Sequence, residues 1–444
     1  MTRLSRRKFL GYGAATAGSS LLFPACAPDL TATDPPTSPN ADAAAGESSA
    51  AAESEDIKVG LLHSLSGTLA ISEAPLVEAE LLAIEEINAA GGLLGRQIIP
   101  ITEDGATDWP TFAEKAEKLI TQNQVSALFG GMTTASRKAV LPVVTAKNSL
   151  LWYPGAYEGQ ECSNHIFYAG PTANQQIEPA INWMLGNRGK SFFLLSANDR
   201  TTHEIAKGLL RTKGGKVSGE AFVPLKNGGP IEMSSVVSDI QQALPEGGII
   251  FNSLVGEQNR VFFQALSSAG LLADQYIVIS LHVGEEEVFQ IGQSFLQGHY
   301  AASSYFQTIE SSENEAWVQV FRDRYGVERV INGAMENAYS MVHLWAQAVR
   351  QAESLTTEAL RTAAYGQTYA SPAGSITAES NHHVAQPMYI GKVRDDGLFD
   401  IVWESPSAIA PQPWSQHIDG SKGFVCDWSD PDKGEKYRAA GAEA

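Results

Sequence analysis

The sequence predicts an α/β fold in two lobes, each built around a parallel sheet. Three observations carry this. Short apolar runs of strand type alternate with longer stretches of helical period. The alternation breaks once, near residues 170–175, and then restarts. From Asp56 onward about 390 residues remain, too many for one typical domain and suited to two.

The elements follow in order. Ile57 to Leu62 is a compact apolar run broken by Ser64-Leu65-Ser66-Gly67. In the next stretch Val77, Leu81, Ile84 and Asn88 share one helical face, and Glu78, Glu85 and Glu86 fall elsewhere. Gly91-Gly92 stops that helix, and Ile98, Ile99 and Ile101 make a strand. Then come a helix over 112–121, a strand over 127–129, a helix over 136–147 and a strand over 150–153.

After Pro171 the second run begins. Helices are expected over 174–185, 202–212, 234–243 and 260–269, with strands over 191–195, 217–223, 249–251 and 276–280. Strands that alternate with helices imply parallel sheets covered on both faces, hence two Rossmann-like lobes. No internal repeat is visible at the residue level. In such sheets ligands bind beyond the carboxyl ends of the strands. Residues 63–68, 130–136, 153–157, 196–200, 252–256 and 281–285 are therefore the segments to inspect.

Charge narrows the function. With 31 Lys and Arg against 50 Asp and Glu, the net charge is −19, which repels nucleic acid and anionic lipid.

The N-terminus reads as an address. Arg6-Arg7 before Phe9-Leu10 matches a twin-arginine export signal, and the soft apolar run to Ala25 is too short to span a membrane. Residues 1–26 therefore read as a signal peptide, and export by this route moves folded cargo. Ala25-Cys26 resembles a lipoprotein box, with Cys26 as the lipidation site; ordinary cleavage near Ala25 is the alternative. Residues 27–55 are mostly Ala, Ser, Thr, Pro, Asp and Glu and read as a disordered tether. Together these imply a periplasmic protein held near the cell membrane. In that oxidising compartment Cys162 and Cys426 are free to pair or to stay apart.

Several strings resemble known proteins. Val59 to Gly67 (VGLLHSLSG), Ile87 to Gly92 and Leu94-Gly95-Arg96 resemble the first strand, loop and helix of the type I periplasmic binding proteins. More specific are Ala135 to Val143 (ASRKAVLPV), Tyr157 to Ser163 (YEGQECS), Asn174-Gln175-Gln176, Ala338-Tyr339 and Leu344 to Ala348. These look like the urea and short-chain-amide branch, which includes the substrate-binding subunit of the urea ABC transporter and an amide-sensing regulator. The resemblance runs from about Ile57 to about Pro413.

The resemblance implies a topology in which each lobe takes chain from two places. Lobe one would hold 56–175 plus 306–370, lobe two 176–305 plus 371–412, joined by a three-crossing hinge. Residues 413–444 would be a C-terminal extension, polar with Trp414, Phe424 and Trp428 interspersed, either docked or loose. It implies a monomer that binds a small molecule in the interlobe cleft and delivers it to ABC permease subunits, with no cofactor, no metal and no catalysis.

The family's pocket carries over onto Met132, Thr133, Thr134, Tyr153, Gly155, Ala156, Tyr157, Asn198, Arg200 and His282, with Val283 beside it. This chain departs from the branch in places. Met132 stands where an aromatic is usual, Gly155 or Ala156 where a larger or polar residue is usual, and Ala197-Asn198 where the branch has Asp-Tyr. Smaller side chains suggest more room, and the guanidinium of Arg200 offers a fork to a carboxylate, so a larger or anionic solute is expected.

Other readings apply to the same residues. Thr133, Thr134 and Ser136 also suit a helix cap. Tyr153 suits a core, and Arg200 a surface pair with Asp199 or Glu204. Glu285-Glu286-Glu287 reads as a solvated helix start near the positive end of the dipole. His382-His383 resembles a metal pair without a suitably spaced third ligand. Among enzyme motifs the sequence holds no GxSxG, HExxH or P-loop. Cys162 with His165 three residues on is the nearest approach to a nucleophile and base. A sensor that passes ligand closure to a regulatory partner is the remaining alternative to transport.

Overall fold

The computed structural model describes residues 55–197, 200–225 and 230–438. The twin-arginine stretch, Cys26, nearly all of the tether and Asn198 lie outside the described residues. Among the described residues no helix is long and apolar enough to cross a membrane.

The first run forms β1 (Ile57–His63), α1 (Ala70–Ala89), β2 (Ile98–Asp104), α2 (Trp109–Thr121), β3 (Leu128–Gly130), α3 (Thr134–Ala146), β4 (Leu151–Tyr153) and β5 (Ile166–Tyr168). The second forms α4 (Ile177–Asn187), β6 (Ser191–Ser196), α5 (Arg200–Lys213), β7 (Lys216–Phe222), α6 (Ser234–Ala243), β8 (Gly248–Ser253), α7 (Glu257–Ser268), β9 (Tyr276–Ser280), α8 (Glu285–Ile291), α9 (Gln293–Leu296) and β10 (Tyr300–Ser303). The chain then makes α10 (Ser312–Tyr325), α11 (Gly333–Ala352), α12 (Thr357–Ala364), β11 (Thr368–Ser371), β12 (Gly374–Ala378), β13 (Val384–Ala385), β14 (Tyr389–Val393) and β15 (Phe399–Glu404). Two short strands, β16 (Phe424–Val425) and β17 (Tyr437–Arg438), close the described chain.

Two sheets organise the molecule. The first has the order β2-β1-β3-β4-β5 and is parallel throughout. The second has the order β15-β14-β10-β9-β8-β6-β7; its five members from β7 to β10 are parallel, and β14 and β15 add antiparallel. The parallel part, β7-β6-β8-β9-β10, repeats the order of the first sheet, a repeat that left no trace in the residues. In both sheets the order reverses beside the first strand, and loops diverge there to leave a crevice.

Each sheet is covered on two faces, as the apolar runs require. In the first lobe Trp152, Phe129 and Trp345 of α11 meet on one face, and Phe112, Leu119 and Val140 fill the other. Ala373, Ile376, Ala378 and Val384 also lie in the first of these cores. Residues 371–385 thus pack with lobe one, where the sequence reading placed them with lobe two. The reason is local: β11 pairs antiparallel with β12 and packs on α11, so the chain returns to the second sheet only at β14. The chain passes between the sheets after β5, after β10 and between β13 and β14. At the first crossing Gln176 Nε2 donates to the carbonyls of Leu281 (2.9 Å) and Ala302 (2.7 Å), which ties the passage to the second sheet.

Residues 414–438 of the tail are docked. Cys162 and Cys426 form a disulfide with Cα atoms 6.6 Å apart, packed with Trp414, Phe424 and Trp428.

Candidate functional site

The loops at the carboxyl ends of both sheets face each other across a cavity of about 610 Å³. Thr133, Thr134, Ala156, Tyr157, Arg200 and His282, all expected from the sequence, line it. Ala156 and His282 also line a smaller adjoining space of about 50 Å³, together with Met132 and Gly155. Nine of the ten expected residues are described, and eight of them meet at these two spaces.

Tyr153 is the exception. It is fully buried beneath the cleft, and its hydroxyl donates to the Ala156 carbonyl at 2.6 Å. It supports the lining loop from below.

The loop after β3 is built for close approach. Gly130 has φ +134°, and a Cβ there would lie 2.0 Å from the Leu62 carbonyl oxygen. Thr133 then caps α3: its hydroxyl accepts from Ser136 N at 3.2 Å, and Ser136 Oγ accepts from Thr133 N at 3.2 Å, a reciprocal box. Thr134 turns to the cleft, where its hydroxyl donates to the Glu158 carboxylate.

Gly155 does not create room, contrary to the expectation. A Cβ there would fall 2.2 Å from Met132 Cα, so the space a side chain would need is filled by backbone. The glycine allows two lining loops to touch.

A charged cluster lies under this wall. Arg137 is buried, its Nε donates to Glu161 at 2.8 Å, and its guanidinium stands 4.0 Å from Glu158. The rings of Tyr157 (4.7 Å) and Tyr153 (5.1 Å) stack against it. Burial alone would disfavour the cation, but Glu161 and Glu158 hold it charged. His383 joins the same wall, with Nε2 3.1 Å from the Tyr157 hydroxyl, and burial pushes its pKa down to about 3. His382 is buried as well, 3.2 Å from the Ile166 carbonyl and stacked on Phe167. The two histidines serve packing at the crossing between the sheets.

The opposite wall carries Arg200, whose guanidinium lies 5.1 Å above the Phe222 ring. Glu204, its suggested surface partner, pairs with Lys207 at 3.3 Å. The N-termini of α3, α4 and α5 all open on the cavity, through Thr134, Ile177 and Thr201. Lys138 lines it as well.

Glu285, Glu286 and Glu287 are buried, not solvated. Glu287 accepts hydrogen bonds from Ser72 Oγ (2.8 Å), Gly284 N (3.0 Å) and Asn332 Nδ2 (2.9 Å) at the edge of the smaller space. Glu285 accepts from Gln307 N at 2.7 Å, and burial pushes its pKa up to about 8. The start of α8 sits against lobe one, so the expected solvent is replaced by protein.

Trp109, Lys138 and Glu158 line the cleft and were not among the expected site residues, and Ser253 lies in the segment 252–256 marked for inspection. Trp109 follows β2, and Ser303 and Ser304 of the smaller space lie at the end of β10. Inspecting the ends of those two strands as well would have found them.

A model of the periplasmic binding protein domain matches residues 57–420. Among curated proteins, a 123-residue stretch is 39% identical to a limonene hydroxylase of Geobacillus stearothermophilus, covering 28% of this chain and 23% of that protein. A 228-residue stretch is 23% identical to Leu/Ile/Val-binding protein homolog 8 of Brucella abortus (strain 2308), covering 48% of this chain and 56% of that one. The chain thus spans only part of the length of these relatives. Among solved structures, the solute-binding protein of an ABC transporter from Rhodopseudomonas palustris BisB5, in complex with 3,4-dihydroxybenzoic acid, superposes with a TM-score of 0.71 at 20% identity. That likeness covers 80% of this chain and 99% of the other. With the family model spanning most of its length, and with two lobes of the same sheet order around a shared cleft, this chain belongs to the periplasmic binding protein family.

Proposed function

We propose that this protein is the solute-binding component of an ABC importer and that it captures a small carboxylate-bearing solute for delivery to permease subunits. One observation carries the choice of solute: the N-termini of three helices converge on the cleft with Lys138 and Arg200. Helix N-termini present unpaired N–H groups and a positive partial charge, which suits an anion. Glu158, the acidic residue of the larger cavity, already faces Thr134 and Arg137. A cavity of about 610 Å³ falls within the usual range for small organic ligands, roughly 300–1,000 Å³. Urea or a short amide, the narrower expectation from the motifs, would leave most of it unfilled. Trp109 and Tyr157 supply apolar wall for the body of the solute.

Titration calorimetry tests this with urea, acetamide, leucine, 4-hydroxybenzoate and succinate. One or more carboxylates should bind, and Arg200→Ala or Lys138→Ala should weaken that binding about tenfold. Tight urea binding with silent carboxylates defeats the anionic reading. Heat from none of the five defeats the solute class altogether.

A further inference from the structure

The chain after Pro411 leaves both sheets and runs across the molecule. On lobe one, Gln160 N donates to the Pro413 carbonyl at 2.7 Å, Cys426 is bonded to Cys162, and Trp428 N donates to the Ser380 carbonyl at 2.9 Å. Gly159 has φ +81°, and a Cβ there would lie 2.7 Å from the Pro413 oxygen. On lobe two, Ile418 packs against the core formed by α4, α5 and β6. His417 Nε2 lies 3.2 Å from Glu178 of α4, and the His417 carbonyl lies 2.6 Å from where a Gly208 Cβ would stand on α5. Between residues 413 and 428 one segment therefore grips both lobes.

Its grip on lobe one falls on the cleft wall. Ala156, Tyr157 and Glu158 line the cavity, and Gln160 and Cys162, two and four residues on from Glu158, are fastened to the segment. The family model ends at residue 420, so Cys426 and Trp428 lie beyond the shared part of the fold.

We infer that residues 413–428 form a strap that is part of the binding device: it holds the loop 154–163 as the cleft wall and limits how far the lobes separate. The loop between β4 and β5 has little regular structure; Thr134, Arg137, Tyr153 and His383 hold residues Ala156 to Glu161 from within lobe one, and its backbone is further restrained from outside that lobe. The disulfide and the Gln160 bond supply that restraint, and Ile418 and His417 carry it to the other lobe. The inference takes the cleft as the binding site, yet its test reads no ligand and so fails separately from the proposed solute.

Hydrogen exchange and small-angle scattering on the ligand-free protein make the test. Cys426→Ser should raise amide exchange over 155–163 by about tenfold, with β1 and α1 unchanged. The double variant His417→Ala, Ile418→Ala leaves the disulfide intact. It should enlarge the radius of gyration with 155–163 still protected. Unchanged exchange at 155–163 in a folded Cys426→Ser protein overturns the wall-holding role. A wild-type scattering profile from the double variant overturns the restraint on the lobes, and that measurement decides even where Cys426→Ser fails to fold.

Discussion

The hydroxyl of Ser72 on α1 donates to the carboxylate of Glu287 on α8 at 2.8 Å, joining the two lobes across 215 residues of chain. Both groups are buried, so water does not compete for the bond. Beside it Gln290 Nε2 donates to the Ile71 carbonyl at 3.1 Å, and Glu257 N to the Thr68 carbonyl at 3.0 Å. These contacts can exist only while the start of α1 stays against α7 and α8. Ser72→Ala should therefore weaken binding of any solute that requires closure by about fivefold, the worth of one net hydrogen bond. Calorimetry on the variant, with a solute that the parent protein binds, checks this. Equal affinity would mean that the bond is indifferent to closure.

Two buried groups contribute to the alkaline side of stability. Glu285 titrates near 8 in the folded protein against 4.5 for an ordinary glutamate, so the folded state holds the extra proton between those values. Its contribution is whole below pH 4.5 and is lost as pH rises through 8. For His63, burial would lower the pKa, but Glu80 (2.9 Å) and Glu73 (3.8 Å) outweigh it and push the value up to about 9. That contribution is whole below 6.5 and is lost as pH rises through 9. Both act in one direction from pH 7 to 8, and His63 continues to 9, so the melting temperature should fall there. Glu285→Gln removes one source, worth about 1.4 kcal/mol per pH unit over its window. Melting curves at pH 6 and 8.5 should show a smaller drop in the variant. An equal drop assigns the effect elsewhere.

Arg137 is buried against Glu161 and Glu158. Removing one member of a buried ion pair strands the other charge, at a cost of about 3–5 kcal/mol. Arg137→Met should lower stability by that order in urea denaturation, and it should also disturb the wall that Glu158 and Tyr157 present. A loss below about 1 kcal/mol would show that water reaches the cluster.

Gly155→Ala adds a single methyl where Met132 Cα would stand 2.2 Å away. Overpacking of this kind costs about 1–3 kcal/mol. The lining loops must shift apart, so both stability and solute affinity should fall. A variant with parental melting temperature and affinity would place the loops in looser contact than their geometry implies.

Much of the fold was legible in order. The alternation of apolar runs and helical periods marked the strands from β1 to β4 and from β6 to β9, and the central ones, β1, β6 and β8, read as continuous apolar runs because they are buried on both faces. β5 was passed over: Ile166-Phe167-Tyr168 follows β4 with no helix between them, so the alternation of strand and helix gave it no place. The candidate site was legible through position. Loops after strands carried Thr133, Thr134, Ala156, Tyr157, Arg200 and His282 to one cavity. Tyr153 is where this reasoning met its limit, since strand alternation allows a residue at the sheet's end to point below the cleft as readily as into it.

By itself the sequence determined the two lobes, their parallel sheets and the loops that would meet, for these follow from local patterns of burial and turn. Only the tertiary structure decided what each charged group faces. Glu285, Glu286 and Glu287 read as a solvated helix start, yet they are buried because lobe one covers them. Gly155 read as added room, yet the backbone of Met132 occupies it. Cys162 and Cys426 could pair or not, and the crossing of the tail over both lobes brought them together. In each case the deciding neighbour lies far along the chain or in another loop, and no local pattern encodes the distance between segments that only packing brings together.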